Sequence, residues 1–471
     1  MVGLGELPLE ILEDIVHLAV SSRTSSSVGQ MAAVNSVWQA IVERETFQQL
    51  RLGADDVALA MQILARRPER FGLVRLILFS VVLPMYSAAD CTTFESAQDR
   101  FRNDVVFSRS MNTLLTHLSE WPTTGKTLEL QLNAFSPTDA RCLMGHRWVR
   151  YWYGVVPGDM LHNRMYGATL EFFRRTDTPV PAVTKFTIID DCERYVAVSS
   201  FNHLFRAFTG LRDIDFRYWD IYKHDPDHIR RAIRRRMAKA LDQLPDSLSS
   251  MRFNLVYFPP VNQSFRGQVT CETEANNADT LTNSFRNATQ KMTVVDVHGM
   301  LGTPDLFWPA QINAANPEPF WPNLKYMELH YHILDPTGEW LFEPDKHSTP
   351  RFQAELPFYD LPAHLTPDSD KNPMQDRFTA DQDKMDDFYT AVAKAVGNMP
   401  KLERLHIQAI TFWHGRAVPF HVFTFTIEGR VGNAVWSGIP AFEPSFDVFK
   451  AWRKMAYERN LFLNFESKES E

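Results

Sequence analysis

Apolar residues along this chain recur in two rhythms, and the rhythm changes near residue 70. Over the first 50 residues the period is helical. Leu12, Ile15, Val16 and Ala19 fall at i, i+3, i+4 and i+7, which lines one face of a helix, and Ile11 and Leu18 widen the stripe. Pro8 suits the first turn, because its missing N–H would have no partner there in any case. Glu10, Glu13 and Asp14 follow, where the helix dipole favours negative charge. A Ser-rich run, 21–27, breaks the helix, and two further helical pieces are predicted over 31–37 and 38–47.

Beyond residue 70 a pattern Φ-x-x-Φ-x-Φ, with Φ apolar, takes over. It occurs at 73–78, 183–188, 211–216, 248–253, 292–297, 324–329 and 402–407, with a looser copy at 128–132. Its last positions alternate apolar and polar, as a half-buried strand does. Helices are predicted between the copies, over 101–121, 200–208, 227–244, 278–288 and 383–396. Successive first positions at 183, 211, 248, 292 and 324 give steps of 28, 37, 44 and 32 residues. Two architectures fit, a solenoid of stacked α/β repeats and an ordinary α/β domain with a parallel sheet. The solenoid is favoured, because eight similar strands are many for one flat sheet.

The expected organisation is a helical head at 1–50, an α/β array at 70–417, a C-terminal cap at 418–465 and a frayed polar tail at 466–471. Residues 304–373 hold 12 of the 28 prolines and read as an insertion of long loops. In the cap, 421–427 reads as a strand that pairs with 434–436, and 446–457 as an amphipathic helix.

Composition narrows the function classes. The chain has 471 residues, 44% hydrophobic and 23% charged, so it can fill a core and is not globally disordered. A net charge of −8 argues against a general nucleic-acid binder. Cys91, Cys142, Cys192 and Cys271 form no CxxC pair, which fits a reducing compartment. The longest apolar run, 76–83, is too short for a bilayer, and the acidic N-terminus does not read as a secretory signal. The expectation is a cytoplasmic or nuclear protein with no membrane partner.

No GxxxxGK[ST], GxSxG or HExxH motif is present. If the array stacks in register, the polar residue between the last two apolar positions of each copy lies on one open face. That row is Gln131, Thr187, Asp215, Arg252, Asp296, Glu328 and His406, flanked by Arg217, His298 and His330. Asp215, Arg217, Arg252, Asp296, Glu328 and His406 are the candidate substrate-binding residues. A sharper alternative is a metal or hydrolytic site built from Asp296, His298, Glu328, His330 and His406, since carboxylate and imidazole ligate metals. The main reading needs neither cofactor nor metal. Two charge runs read as solvated faces, one of net +5 over 223–239, with Arg230, Arg231, Arg234, Arg235 and Arg236, for which a patch for phosphate or an acidic partner is the alternative, and one of net −4 over 368–387.

The head resembles the F-box, the helical module that docks substrate receptors on Skp-type adaptors of cullin-RING ubiquitin ligases. The resemblance rests on Leu7-Pro8-x-Glu10-Ile11-Leu12-x-x-Ile15 and Val34-x-x-x-Trp38 and covers residues 4–48. It implies an adaptor-facing set of Leu7, Pro8, Ile11, Leu12, Ile15, Val34 and Trp38. Asn35 stands where the family usually has a Cys before the Trp, and the first interhelical loop is longer. The array resembles the degenerate leucine-rich repeats of fungal F-box proteins. Together these imply a substrate-recognition subunit without an active site, whose partners are a Skp adaptor, a cullin scaffold and an unknown target protein. The alternatives are a repeat-built interaction scaffold unconnected to ubiquitin, with the head a mere cap, and an α/β hydrolase-like enzyme.

Overall fold

Every copy of the Φ-x-x-Φ-x-Φ pattern forms a strand. The computed structural model describes residues 8–21, 30–87, 89–90, 93–122, 125–139, 169–173, 178–188, 194–219, 227–256, 269–271, 279–299, 301–314, 316–344, 377–413 and 416–469. Among these, twelve strands join in one sheet: β1 (Gln49–Leu52), β2 (Leu76–Val82), β3 (Glu129–Phe135), β4 (Lys185–Ile188), β5 (Asp213–Trp219), β6 (Ser250–Val256), β7 (Val294–Gly299), β8 (Tyr326–His332), β9 (Arg404–Trp413), β10 (Arg416–Glu428), β11 (Val431–Gly438) and β12 (Phe462–Glu469).

The order across the sheet is the order along the chain. β1 to β9 run parallel, β10 and β11 turn back antiparallel, and β12 is parallel to β11. Crossovers between parallel strands are right-handed almost without exception. Strands added always on the same side therefore keep their helices on one face. These are α3 (Val57–Ala65), α4 (Ala97–Ser119), α5 (Val198–Ala207), α6 (Asp227–Leu241), α7 (Thr280–Thr289), α8 (Gln382–Gly397) and α9 (Phe446–Glu458).

Alternation along each strand separates the two faces. Ile77, Phe79 and Val81 of β2 are buried, as are Leu130 and Leu132 of β3, Phe216 of β5, Phe253 of β6 and Leu405 and Ile407 of β9. Phe201 of α5 packs 5.2 Å from Phe216, Phe285 of α7 5.6 Å from Phe253, and Trp452 of α9 5.2 Å from Phe423 of β10. One continuous apolar core results. Helix starts are set by side-chain caps: Ser96, Asp279, Asp381 and Ser445 each accept a backbone N–H of the first turn of α4, α7, α8 and α9.

The head comprises α1 (Leu9–Ser21) and α2 (Ser36–Phe47), with residues 30–32 helical between them. Asn35 caps α2, its Oδ1 accepting the Trp38 N–H at 3.0 Å. That is a physical reason for a polar residue at this position. Leu12, Val16, Trp38, Ile41 and Val42 form a small core separate from the main one. α2 leads directly into β1, and Arg70 grips Glu43 through Nε at 3.1 Å and Nη2 at 2.5 Å while Nη1 donates to the Ile63 carbonyl at 2.7 Å. These bonds to Arg70 hold the Glu43 carboxyl below the ordinary range.

Several expectations are corrected. The stretch 304–344 is not loop alone: it supplies β8 and buries Trp321, Leu324 and Trp340 in the core. Residues 345–376 lie outside the described set. The tail is not frayed from 466, because β12 runs to Glu469. Of the basic run, Arg230 and Arg234 are buried, and Arg234 forms a two-point ion pair with Asp279. A buried carboxylate at a helix cap draws an arginine inward, so this helix is not basic on its solvent side alone. In the acidic run, Asp381 caps α8 and Asp386 accepts the Ser445 N–H at 3.2 Å, so both hold structure.

Candidate interaction surfaces

The face of the sheet turned away from the helices carries the predicted polar row. Strand pairing sets Gln131, Thr187, Asp215, Arg252, Asp296, Glu328 and His406 side by side, one per strand from β3 to β9, and extends the row to Thr424 of β10. Two residues further along, Arg217, Asn254, His298, His330 and Gln408 form a second row. A side-chain period of two puts both rows on the same face.

Charges in the row are largely matched within it. Arg252 lies between two carboxylates, with Nη1 3.2 Å from Asp215 Oδ2 and Nε 2.8 Å from Asp296 Oδ2. His298 Nε2 comes within 3.1 Å of Asp296 Oδ1. Burial opposes ionisation of Asp296, but His298 and Arg252 outweigh it and keep the carboxyl below its usual range. His330 Nε2 sits 2.6 Å from Glu328 Oε1. His406 is held at both ring nitrogens, 3.1 Å from Thr424 Oγ1 and 3.1 Å from Gln408 Oε1. Toward β3, Glu129 gathers Gln131 at 2.7 Å, Lys185 at 3.1 Å and Thr187 at 3.2 Å. Thr424, Gln408 and Glu129 were not singled out in the sequence. Their polarity is ordinary, and only the register gives it a place.

The carboxylates and imidazoles thus spread along a surface. Among the described residues no three His, Cys, Asp or Glu side chains converge as a metal-binding set. The rings of His298 and His330 instead stack, with centroids 3.9 Å and planes 9° apart.

The second surface is the head. Leu7 lies outside the described residues. Pro8 is exposed, Ile11 is 45% exposed, Val34 58% exposed, and Ile15 is half-buried. Leu9, Leu18 and Val37 add exposed apolar area that the motif alone does not mark. Leu12 and Trp38, expected to face an adaptor, are buried inside the head instead. The reason is geometric. α1 and α2 close over a single small core, and Leu12 and the Trp38 indole fill it together with Val16, Ile41 and Val42.

No described helix is long and apolar enough to cross a membrane. No protein-family model matches this chain, and no curated protein matches it.

Proposed function

We propose that this chain is the substrate-recognition subunit of a cullin-RING ubiquitin ligase of the SCF type, acting in cytoplasm or nucleus. In this reading the head is an F-box that docks on a Skp adaptor. The one-sided sheet is a degenerate leucine-rich-repeat-like solenoid, and its polar face holds the target protein. The chain itself performs no chemistry; it raises the effective concentration of the target at the transferring enzyme.

The observation that carries the reading is the head. It keeps a core of its own and leaves Ile11, Val34, Leu9, Leu18 and Val37 uncovered on about 40 residues. Five large exposed apolar side chains on so small a unit fit a surface that a partner covers. The burial of Leu12 and Trp38 trims the contact set to Leu7, which lies outside the described residues, Pro8, Ile11, Val34 and the edge of Ile15.

A pull-down of the full chain with a Skp-type adaptor tests it. The wild type binds, and Ile11→Asp with Val34→Asp loses most of the binding, because a few anchors carry most of an interface's energy. Both positions are exposed, so the double variant keeps its fold and its circular dichroism spectrum. Failure of the wild type to bind, or equal binding by the variant, leaves the chain as an interaction scaffold unconnected to ubiquitin.

A further inference from the structure

The centre of the open face concentrates imidazole. His298 lies on β7, His330 and His332 on β8 and His406 on β9, all within three neighbouring strands. His298 and His330 are register partners. Their stacked rings are each clipped to the carboxylate two residues earlier on the same strand, Asp296 at 3.1 Å and Glu328 at 2.6 Å. Two such units stand side by side, one an Asp-x-His and the other a Glu-x-His.

Neutral imidazoles stack at this distance without electrostatic penalty. Two imidazolium rings 3.9 Å apart repel each other, and the repulsion is felt because His330 is largely buried. One proton is accommodated beside either carboxylate. The second is opposed by the first.

We propose that the stacked pair His298–His330 is a proton-operated switch set into the recognition face. With both rings neutral the pair is stacked. On acidification it takes up one proton, and then a second that forces the rings apart. The groups facing the pair are Asp296 and Glu328 on its own strands, Arg252 and Asn254 on β6, His332 on β8, and His406 and Gln408 on β9. Arg252 is shared by Asp215 and Asp296, so it does not neutralise Glu328. With neutral rings, the carboxylates Asp215, Asp296 and Glu328 and the guanidiniums Arg217 and Arg252 sum to −1, and two protons bring this patch to +1. Burial, reinforced by the neighbouring His298, holds His330 below the ordinary histidine range. That the switch controls target capture rests on the function proposed above; the switch itself does not.

The test is a titration of the full chain with ¹³C-labelled histidine from pH 8 to 4.5, following the ring Cε1–H signals by NMR. His298→Asn and His330→Asn assign the two rings. In the wild type the rings titrate in two steps more than about one pH unit apart, and each ring senses both steps. In His330→Asn, His298 titrates in a single step at higher pH than the mean of the wild-type pair. Glu328→Gln moves the His330 step to lower pH. One common midpoint for both rings, unmoved by substitution of the other, overturns the proposal. A two-step titration in a chain that fails to bind the adaptor would remove the ligase reading and leave the switch. Adaptor binding with independent titrations would do the reverse.

Discussion

The two ends of the molecule deal with apolar surface in opposite ways. At the C-terminal end, Trp452 of α9 is fully buried against Phe423 at 5.2 Å and Phe425 at 5.0 Å, with Trp436 6.2 Å away. Those residues belong to the same core as the parallel strands. At the N-terminal end, five residues make a separate core, and the apolar side chains around it face outward. Both ends have amphipathic helices, so composition does not separate them. The difference is connectivity. The last strands extend the sheet and let α9 settle on it, whereas α1 and α2 precede the first strand and close a small core of their own, joined to the rest through Phe47 and the Glu43–Arg70 pair. An end that continues the sheet is completed within the chain. An end that stands off the sheet keeps surface for something else.

The comparison can be broken at four points. The largest effect is expected at the C-terminal end, where Trp452→Ala removes about 3–5 kcal/mol from the whole array. Urea unfolding followed by circular dichroism measures it, and a loss below about 1 kcal/mol would show that α9 is peripheral. Next is acid. His421, buried and in contact with the Tyr389 hydroxyl at 2.7 Å, has its pKa pushed down by burial to about 3. In the unfolded chain it protonates near its ordinary value, about 6.5. Below that pH the unfolded state binds a proton that the folded state refuses, so stability present at neutral pH is lost as pH falls, by about 3 kcal/mol at pH 4. His421→Phe should flatten the pH dependence of the unfolding midpoint between pH 6.5 and 4; an unchanged slope would assign the acid sensitivity to other groups.

The third point is in the head. Leu12→Ala costs about 2 kcal/mol, at the low end for a buried leucine because so small a core collapses around the gap. Hydrogen exchange should quicken over α1 and α2 while β2 to β9 keep their protection. Loss of protection in both would mean that the head and the sheet unfold together. The smallest effect is at the junction. Glu43→Gln weakens the two-point grip of Arg70 by about 1 kcal/mol, read as an earlier unfolding of the head at high pH and low salt with no change in the sheet.

Much of this architecture was legible because its signals are local. A strand alternates every two residues and a helix every 3.6. The copies at 248–253 and 292–297 therefore mark β6 and β7 to within two or three residues, and 383–396 marks α8 almost to its ends. The polar row was legible for the same reason, since a fixed place in a repeated pattern becomes a fixed place in the register. What stayed hidden depends on distance along the chain. Nothing near Arg234 announces Asp279, 45 residues on. Nothing near Arg194 announces Asp139 and Glu95, which meet it as a buried network with the Tyr86 hydroxyl. β1, four residues reading Gln-Leu-Arg-Leu, is too short to show a period. Trp38 was visible as a landmark, but whether its ring points in or out depends on how α1 meets α2.

The order of the strands has a consequence for how the molecule is made. Each strand of the large sheet lies beside the one that precedes it in the chain. During synthesis, every new strand therefore finds its neighbour already present, and the sheet can lengthen at one growing edge as the polypeptide emerges. The strands that reverse direction, β10 and β11, come near the end, and the last strand is the one whose outer positions carry Glu466, Lys468 and Glu469. Charges on a finishing edge discourage further strands from adding.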